Sequence, residues 1–560
     1  MRSNPITKGG VSVRAISGTH VVFLAFNLSS QARQGCLGFA IKRRDETEDE
    51  EYWLNGLKTF EEVDPHPGAG VPVSTHRHPL QGFQWADYTA KDGHRYTYEI
   101  TAMYGTPTAL VSGTTVSVTI RTEKASEGVH QVHFNRGAVA SQEYARRFEN
   151  RRPDAFEDGS EEQLARYKWL SRGLEEAMLA FIARARNGDY ALRAAIYEFQ
   201  WPRVLDAFKA ASKKANVRII YDAIGAPTGP TKKNKAAITK AGLTARCIAR
   251  KKGTLMHNKF IVLLKNDKPV SVWTGSTNVK LNGLFGHLNV GHAIDDPDVA
   301  ARFLDYWKFL SKDPTTAELK DWAEENDALP DEDAAAGQGT RVIFSPHRGL
   351  QALRWYAALA ERNAVPVFIT LAFGMNKVLQ AVYRRTDNVL RVALLEKPGN
   401  GAGLKQGRID IRQIRSLPNV LVAMGNYVGA NNFDRWLKEI DRVTAEVNVR
   451  WVHTKFLMID PLGPDPIVIT GSANFSDAST ETNEENMLII RGSRRVADIY
   501  FTEFLRIYSH HAFRESLTFK RKPGEDWRPN YLKPTAKEWQ KPYFTPGNEH
   551  HLRRLYYMGV

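Results

Sequence analysis

Trp451-Val452-His453-Thr454-Lys455-Phe456-Leu457-Met458-Ile459-Asp460, followed by Gly471-Ser472-Ala473-Asn474, decides the fold. The stretch reads as a buried strand, a turn at Pro461 to Pro466, a second strand from Ile467 to Thr470, and a polar loop. His453 and Lys455 interrupt the apolar run two residues apart, which on a strand puts them on one face. An imidazole beside an ammonium suits a phosphate: the lysine binds an oxygen and the histidine reacts.

His-x-Lys alone arises easily by chance, so the second copy carries the weight. Met256-His257-Asn258-Lys259-Phe260-Ile261-Val262-Leu263 is followed by Trp273-Thr274-Gly275-Ser276-Thr277-Asn278. His453 lies 196 residues after His257, and Gly471 lies 196 after Gly275. The same offset sets Glu485 against Asn289. An internal duplication that keeps His, Lys, Gly-Ser and Asn in register is not composition noise.

These motifs resemble the phospholipase D superfamily, whose signature is His-x-Lys, an Asp five residues after the Lys, then Gly-Ser-x-Asn, twice per active site. The second copy matches in full, through His453, Lys455, Asp460, Gly471, Ser472 and Asn474. The first departs at Leu264, where the Asp is expected; in the family that Asp is more structural than catalytic. The resemblance covers about residues 136 to 515. It implies two pseudo-symmetric α/β sandwich halves that share one active site, and a phosphohistidine intermediate. The neutral Asn289 and the missing Asp are similar, by role alone, to the tyrosyl-DNA phosphodiesterase branch.

The rest of the chain sets the domain order. At 560 residues it is too long for one hydrophobic core. Residues 1–135 read as a small β-sandwich resembling fibronectin type III or immunoglobulin-like modules. Val21 to Phe26 is apolar throughout, and Tyr96, Tyr98, Ile100 and Ala102, then Val116, Val118 and Ile120, alternate with polar residues. His66, His76 and His78 lie among prolines without the Cys or acidic partners of a metal site, so they read as loop histidines. Residues 136–335 form half one. After a polar connector at 136–160, a helix starts at a capping box, Ser160 to Gln163, and runs on to Asn187-Gly188. A β-α-β unit follows at Leu192–Tyr197, Arg203–Lys213 and Val217–Tyr221. Half two, 341–515, repeats the unit at Val365–Leu371, Lys377–Arg384 and Leu390–Leu395. Such alternation predicts an α/β fold with a mixed or parallel sheet. The acidic, Ala/Gly-rich run Asp331 to Gly339 reads as the linker.

Charge points to an anionic partner. Lys and Arg outnumber Asp and Glu by 77 to 62, a net charge of +15, which favours nucleic acid or an anionic membrane surface. From Gly225 to Met256 there is no acid, but there are Lys232, Lys233, Lys235, Lys240, Arg246, Arg250, Lys251 and Lys252, and the run ends at His257. It reads as a solvated face or as a groove for a polyanion. The tail, 516–560, mixes bases (Lys520, Arg521, Lys522, Arg528, Arg553, Arg554) with aromatics (Trp527, Tyr531, Trp539, Tyr543, Phe544, Tyr556, Tyr557), and is expected to wrap over its own domain. No long apolar run or apolar leader is present, and only Cys36 and Cys247 occur; both observations predict a reducing, cytoplasmic setting.

The expected chemistry is metal-independent phosphodiester cleavage with no cofactor. Lys259, Lys455, Asn278 and Asn474, helped by Ser276 and Ser472, are the phosphate donors. The two histidines need different protonation states. Glu485 is expected to hydrogen-bond His453 and keep it protonated, and Asn289 to leave His257 neutral, so that His257 is the nucleophile and His453 the general acid and base. Both histidines lie in one chain, so a monomer suffices. Head-group hydrolysis of a phospholipid is the leading expectation. Nucleic-acid cleavage and an inactive binding scaffold are the alternatives, and transfer to an alcohol stays open.

Overall fold

The computed structural model describes all residues except 65–70, 138–140, 150, 152, 226–229, 400, 426–451 and 520–530. His66, Trp451, Lys520, Arg521, Lys522, Trp527 and Arg528 therefore lie outside the described residues.

The N-terminal region is a pair of antiparallel sheets. Ile6–Lys8, Val11–Ser17, Val22–Leu28 and Gln84–Asp87 form one; Ala109–Arg121, Arg95–Thr106, Gly38–Asp45 and Glu50–Trp53 form the other. Their inward residues, among them Val13, Leu24, Phe26, Phe39, Tyr98, Ile100 and Val118, make the shared core. The period-2 pattern of the sequence produces this, since alternate side chains face the same side. His76 lies tilted against Trp53 at 4.5 Å between ring centroids, and His78 accepts the Phe60 N–H at 3.3 Å. These are packing roles.

Two large mixed sheets follow. The first runs His130–Phe134, Val290–Ile294, Lys268–Gly275, Lys259–Lys265, Tyr190–Ile196, Asn216–Asp222 and Cys247–Arg250. The second runs Leu255–Met256, Asn483–Arg491, Ile467–Gly471, Phe456–Ile459, Val367–Leu371, Arg391–Leu395 and Val420–Met424, with Gly339–Ser345 also on Asn483–Arg491. Both expected β-α-β units are present, with the helices Pro202–Ser212 and Lys377–Tyr383. Strands such as Phe260 to Leu264 are buried along their length, as expected where both faces of a sheet are covered. The protein is thus a mixed α/β fold with two matching halves and an N-terminal antiparallel β region.

Two boundaries differ from the sequence pattern, and the tail agrees with it. His130–Phe134, counted with the β-module, pairs antiparallel with Val290–Ile294 and completes the sheet of half one. Its counterpart in half two is Gly339–Ser345 on Asn483–Arg491. The expected connector carries a short helix, Ser141–Phe148, and the helix expected from Ser160 onward is two helices, Glu161–Ser171 and Leu174–Ala183, separated by Arg172 and Gly173 in left-handed conformation at φ 47° and 90°; apolar periodicity runs through such a break without registering it. The tail helices Ala536–Gln540 and Glu549–Met558 do wrap back: Trp539 stacks on Phe83 at 5.2 Å, and Tyr557 meets Phe23 edge-on at 4.9 Å.

Candidate active site

Each motif histidine sits where the chain crosses from one sheet to the other. Leu255–Met256 pairs in parallel with the start of Asn483–Arg491, a strand of half two, with Met256 opposite Glu484. After His257 and Asn258 the chain enters its own sheet at Lys259. The second motif mirrors this: Val452 forms a parallel bridge with Leu288 of half one, and Phe456–Ile459 then joins the sheet of half two. The histidines therefore lie in the breaks between strand segments, not within one continuous strand.

This crossover exchanges the partners that the duplication suggests. Glu485, next to Glu484 in the register, meets His257: its carboxylate lies 2.8 and 2.9 Å from Nδ1. Asn289, next to Leu288, meets His453: Nδ1 donates to Oδ1 at 2.8 Å. The expected pairing of Glu485 with His453, and of Asn289 with His257, is thus reversed. A repeat offset matches equivalent residues but does not reveal which half they face. Asn289 Nδ2 donates to the Gly283 carbonyl at 2.7 Å, so its Oδ1 is left to accept from both Ser276 Oγ and His453 Nδ1. A carboxylate can only accept, so both histidines carry hydrogen on Nδ1 and leave Nε2 for a substrate.

The four motif bases are buried together. Lys455 is fully buried and Lys259 is 4% exposed. Each ammonium donates to the carbonyl of the histidine two residues before it, Lys455 at 2.6 Å. Burial pushes Lys259 down to about 8 and Lys455 well below its ordinary range, the latter also through Lys259. Burial lowers His257, against the opposing pull of Glu485. His453 is driven further down by burial and by Lys455, with no anion at its own nitrogen to resist. The charged forms of these four bases are short of counter-charge, and a bound anion would favour them.

Of the remaining expected residues, Asn278 donates to Glu198 at 2.6 Å, and its Oδ1 is buried without a partner, as is that of Asn474. Ser276 Oγ and Ser472 Oγ accept the N–H groups of Val290 and Asn486 at 3.1 and 3.0 Å, so they pin the strand ends that carry Asn289 and Glu485. The sequence pattern misses several neighbours. Lys280 donates to Glu198 at 2.8 Å. Asp222 and Glu396, at the ends of matching strands, accept the N–H of the residue before each histidine, at 3.2 and 2.8 Å. Asn486 bridges the halves by donating to Asn258 at 2.8 Å. Asn486 adjoins Glu485 and Lys280 lies two residues past Asn278, so both sit beside motif residues; Asp222, Glu396 and Glu198 have no motif spacing.

The basic run before His257 is divided. Arg250 is fully buried and held by Glu484 at 2.7 Å and Asp313 at 2.6 Å, so it is structural. Lys232, Lys233, Lys235, Lys240, Arg246, Lys251 and Lys252 are exposed. The first four lie on the helix Pro230–Lys240, which Asn234 ties to the site: it accepts the Phe199 N–H at 2.9 Å and donates to the Tyr197 carbonyl at 2.7 Å. The Tyr197 ring lies 4.9 Å from that of His257.

The family model described as cardiolipin synthase, PLD-like domain, matches residues 178–309 and 368–508, with one His-x-Lys and Gly-Ser-x-Asn pair in each segment. The chain belongs to the phospholipase D superfamily. Members of this superfamily are phosphoryl-transfer enzymes. No curated protein sequence matches the chain significantly. Among solved structures, it is similar to the phosphatidylserine synthase of Haemophilus influenzae (11% identity, 62% of this chain and 91% of that one, TM-score 0.42). It is also similar to the polyphosphate kinase of Porphyromonas gingivalis (12% identity, TM-score 0.38), over 67% of this chain but only 51% of the kinase. The yeast tyrosyl-DNA phosphodiesterase follows (11% identity, 57% and 87%, TM-score 0.34). None of these likenesses singles out a substrate. Among the described residues of this phospholipase D superfamily member, no helix is long and apolar enough to cross a membrane.

Proposed function

We propose that the protein is a metal-independent phosphodiesterase that works through a phosphohistidine on His257. The observation that carries this is the unequal pair of histidine partners, Glu485 on His257 and Asn289 on His453. A carboxylate at Nδ1 makes Nε2 of His257 more nucleophilic and balances the positive charge that appears once nitrogen bonds phosphorus. A neutral amide at His453 leaves its imidazolium a stronger acid, ready to protonate the leaving oxygen. The assignment of nucleophile and acid is the one the sequence suggests, reached by the opposite electrostatic argument. Lys259, Lys455, Asn278 and Asn474 hold the phosphate oxygens as charge builds up. The bound phosphodiester anion raises His453 into its protonated form, which burial opposes in the free protein.

The first substrate class is the phospholipid head-group phosphodiester, supported by the cardiolipin synthase description of the matching domain model. A second, a nucleic-acid strand, is favoured by the lysine helix tied to Tyr197. Labelled phospholipid vesicles, single-stranded DNA and RNA, and a soluble nitrophenyl phosphodiester are incubated with the protein in excess chelator and quenched. Label on residue 257, abolished in His257→Ala and accumulating in His453→Ala, is the expected result. Label on residue 453, or activity that survives His257→Ala, sinks the assignment.

A further inference from the structure

The two halves differ at one turn beside the site. In half one, Asn282–Gly286 is a π-helical turn, closed by the His287 N–H on the Asn282 carbonyl at 2.7 Å. At the 196-residue offset half two has the α-helix Asp477–Glu481 instead. Single π turns are uncommon and concentrate at functional sites. The wider turn delivers His287 to the His453 side, where the two ring centroids are 5.7 Å apart. The matching position in half two is Asn483. His287 is 7% exposed, and its Nδ1 is buried without a hydrogen-bond partner. Asn135 holds its backbone by donating to the His287 carbonyl at 2.7 Å. Filling space would need no nitrogen, since a phenyl ring packs without an orphaned polar atom.

We propose that His287 contacts the substrate as a third histidine of the reaction, hydrogen-bonding the oxygen that leaves phosphorus and the water that takes its place. The proposal rests on the phosphohistidine reading above. In the first step His257 Nε2 bonds phosphorus, the bond to the leaving oxygen breaks with its electron pair on oxygen, and His453 supplies the proton. In the second, a water oxygen bonds phosphorus, the phosphorus–nitrogen bond breaks with its pair returning to His257, and the water proton passes to His453. In-line displacement puts both oxygens at the same place, on the His453 side. His287 gains and loses no proton. It orients the oxygen as a neutral imidazole, since burial, then Lys280 and Lys455, hold it down to about 3.

The test uses bis(p-nitrophenyl) phosphate, whose leaving group departs without a proton, so a contact to oxygen matters mainly in the second step. In His287→Asn and His287→Phe we expect a burst of one nitrophenolate per enzyme. The steady rate that follows should be about 10- to 100-fold below the full protein's, with the label held on His257. Added imidazole should restore turnover in His287→Gly, which a packing role would not allow. Rates within twofold of the full protein in both variants overturn the proposal. So does a slower rate without accumulated phosphoenzyme, or unfolding of all three variants. A full protein that neither releases nitrophenolate nor labels His257 defeats the phosphodiesterase reading itself, and this proposal with it.

Discussion

Four buried bases, with Glu485 at His257 and Glu198 and Asp222 close by, make the pH behaviour of this site depend on its ligand. In the free protein burial holds Lys259 down to about 8 and Lys455 well below its ordinary range. A phosphate donor works only when charged, so kcat/KM, which reports the free enzyme, should fall as pH rises through about 8. Bound phosphodiester adds the missing anion and raises both lysines and His453, so the alkaline limb of kcat should lie at higher pH than that of kcat/KM. Rate profiles between pH 5 and 10 check this, and coincident limbs would refute it. The same depression has a sign for stability. Between the folded value and the ordinary 10.5, the folded state binds fewer protons at Lys259 than the unfolded state does. Unfolding therefore takes up protons, and stability without ligand rises with pH across that window. At this scale the sequence showed which residue types gather. It could not show that His453 faces Asn289, because facing is a property of the crossover.

At the scale of elements, the two short parallel contacts at Met256–Glu484 and Leu288–Val452 set the site. The first is locked by a buried ion pair. Arg250 reaches Glu484 through Nε and Nη2, at 3.0 and 2.7 Å, and turns its Nη1 to Asp313. Arg250→Ala would strand Glu484 without counter-charge, at a cost of about 3–5 kcal/mol. It would also loosen the pairing that holds Glu485 against His257. We expect a lowered denaturation midpoint together with a fall in kcat. In Arg250→Met/Glu484→Met, stability should largely return, because the buried charges are gone together. Chemical denaturation of Arg250→Met, Glu484→Met and the double decides it; strictly additive losses would show that the pair is not the lock. In sequence, Arg250 looks like one more base in a run of eight. Only the strand that carries it inward separates it from the exposed lysines. The helices and strands themselves were legible wherever apolar periodicity met turn residues, as in Lys377–Tyr383 and Arg391–Leu395.

Across the whole molecule, the ends of the chain meet at the second motif, and this accounts for Leu264. Arg2 donates to Asp498 at 2.6 Å and to the Leu462 carbonyl at 2.6 Å. Tyr556, on the last helix, donates to Asp460 Oδ1 at 3.1 Å and accepts the Leu462 N–H at 2.8 Å. Asp460 is the signature Asp of half two, and here it fastens the strand Phe456–Ile459 to the tail. At the same position in half one Leu264 is buried in the apolar core with Phe303 and Leu310. The departure from the motif is therefore a difference in what covers each half, which a single sequence cannot reveal because the covering helix lies about 100 residues downstream. If so, Asp460 stabilises without taking part in chemistry. Asp460→Ala and Tyr556→Phe should each lower stability, with a coupling of about 0.5–3 kcal/mol in the double variant. The kcat of the folded fraction should stay within about twofold, since a partner in the reaction would lose about 100-fold or more. Equilibrium denaturation and active-site titration of the three variants separate the two roles. A large fall in kcat with unchanged stability would move Asp460 into the mechanism, and Leu264 would then mark a half that has lost part of it.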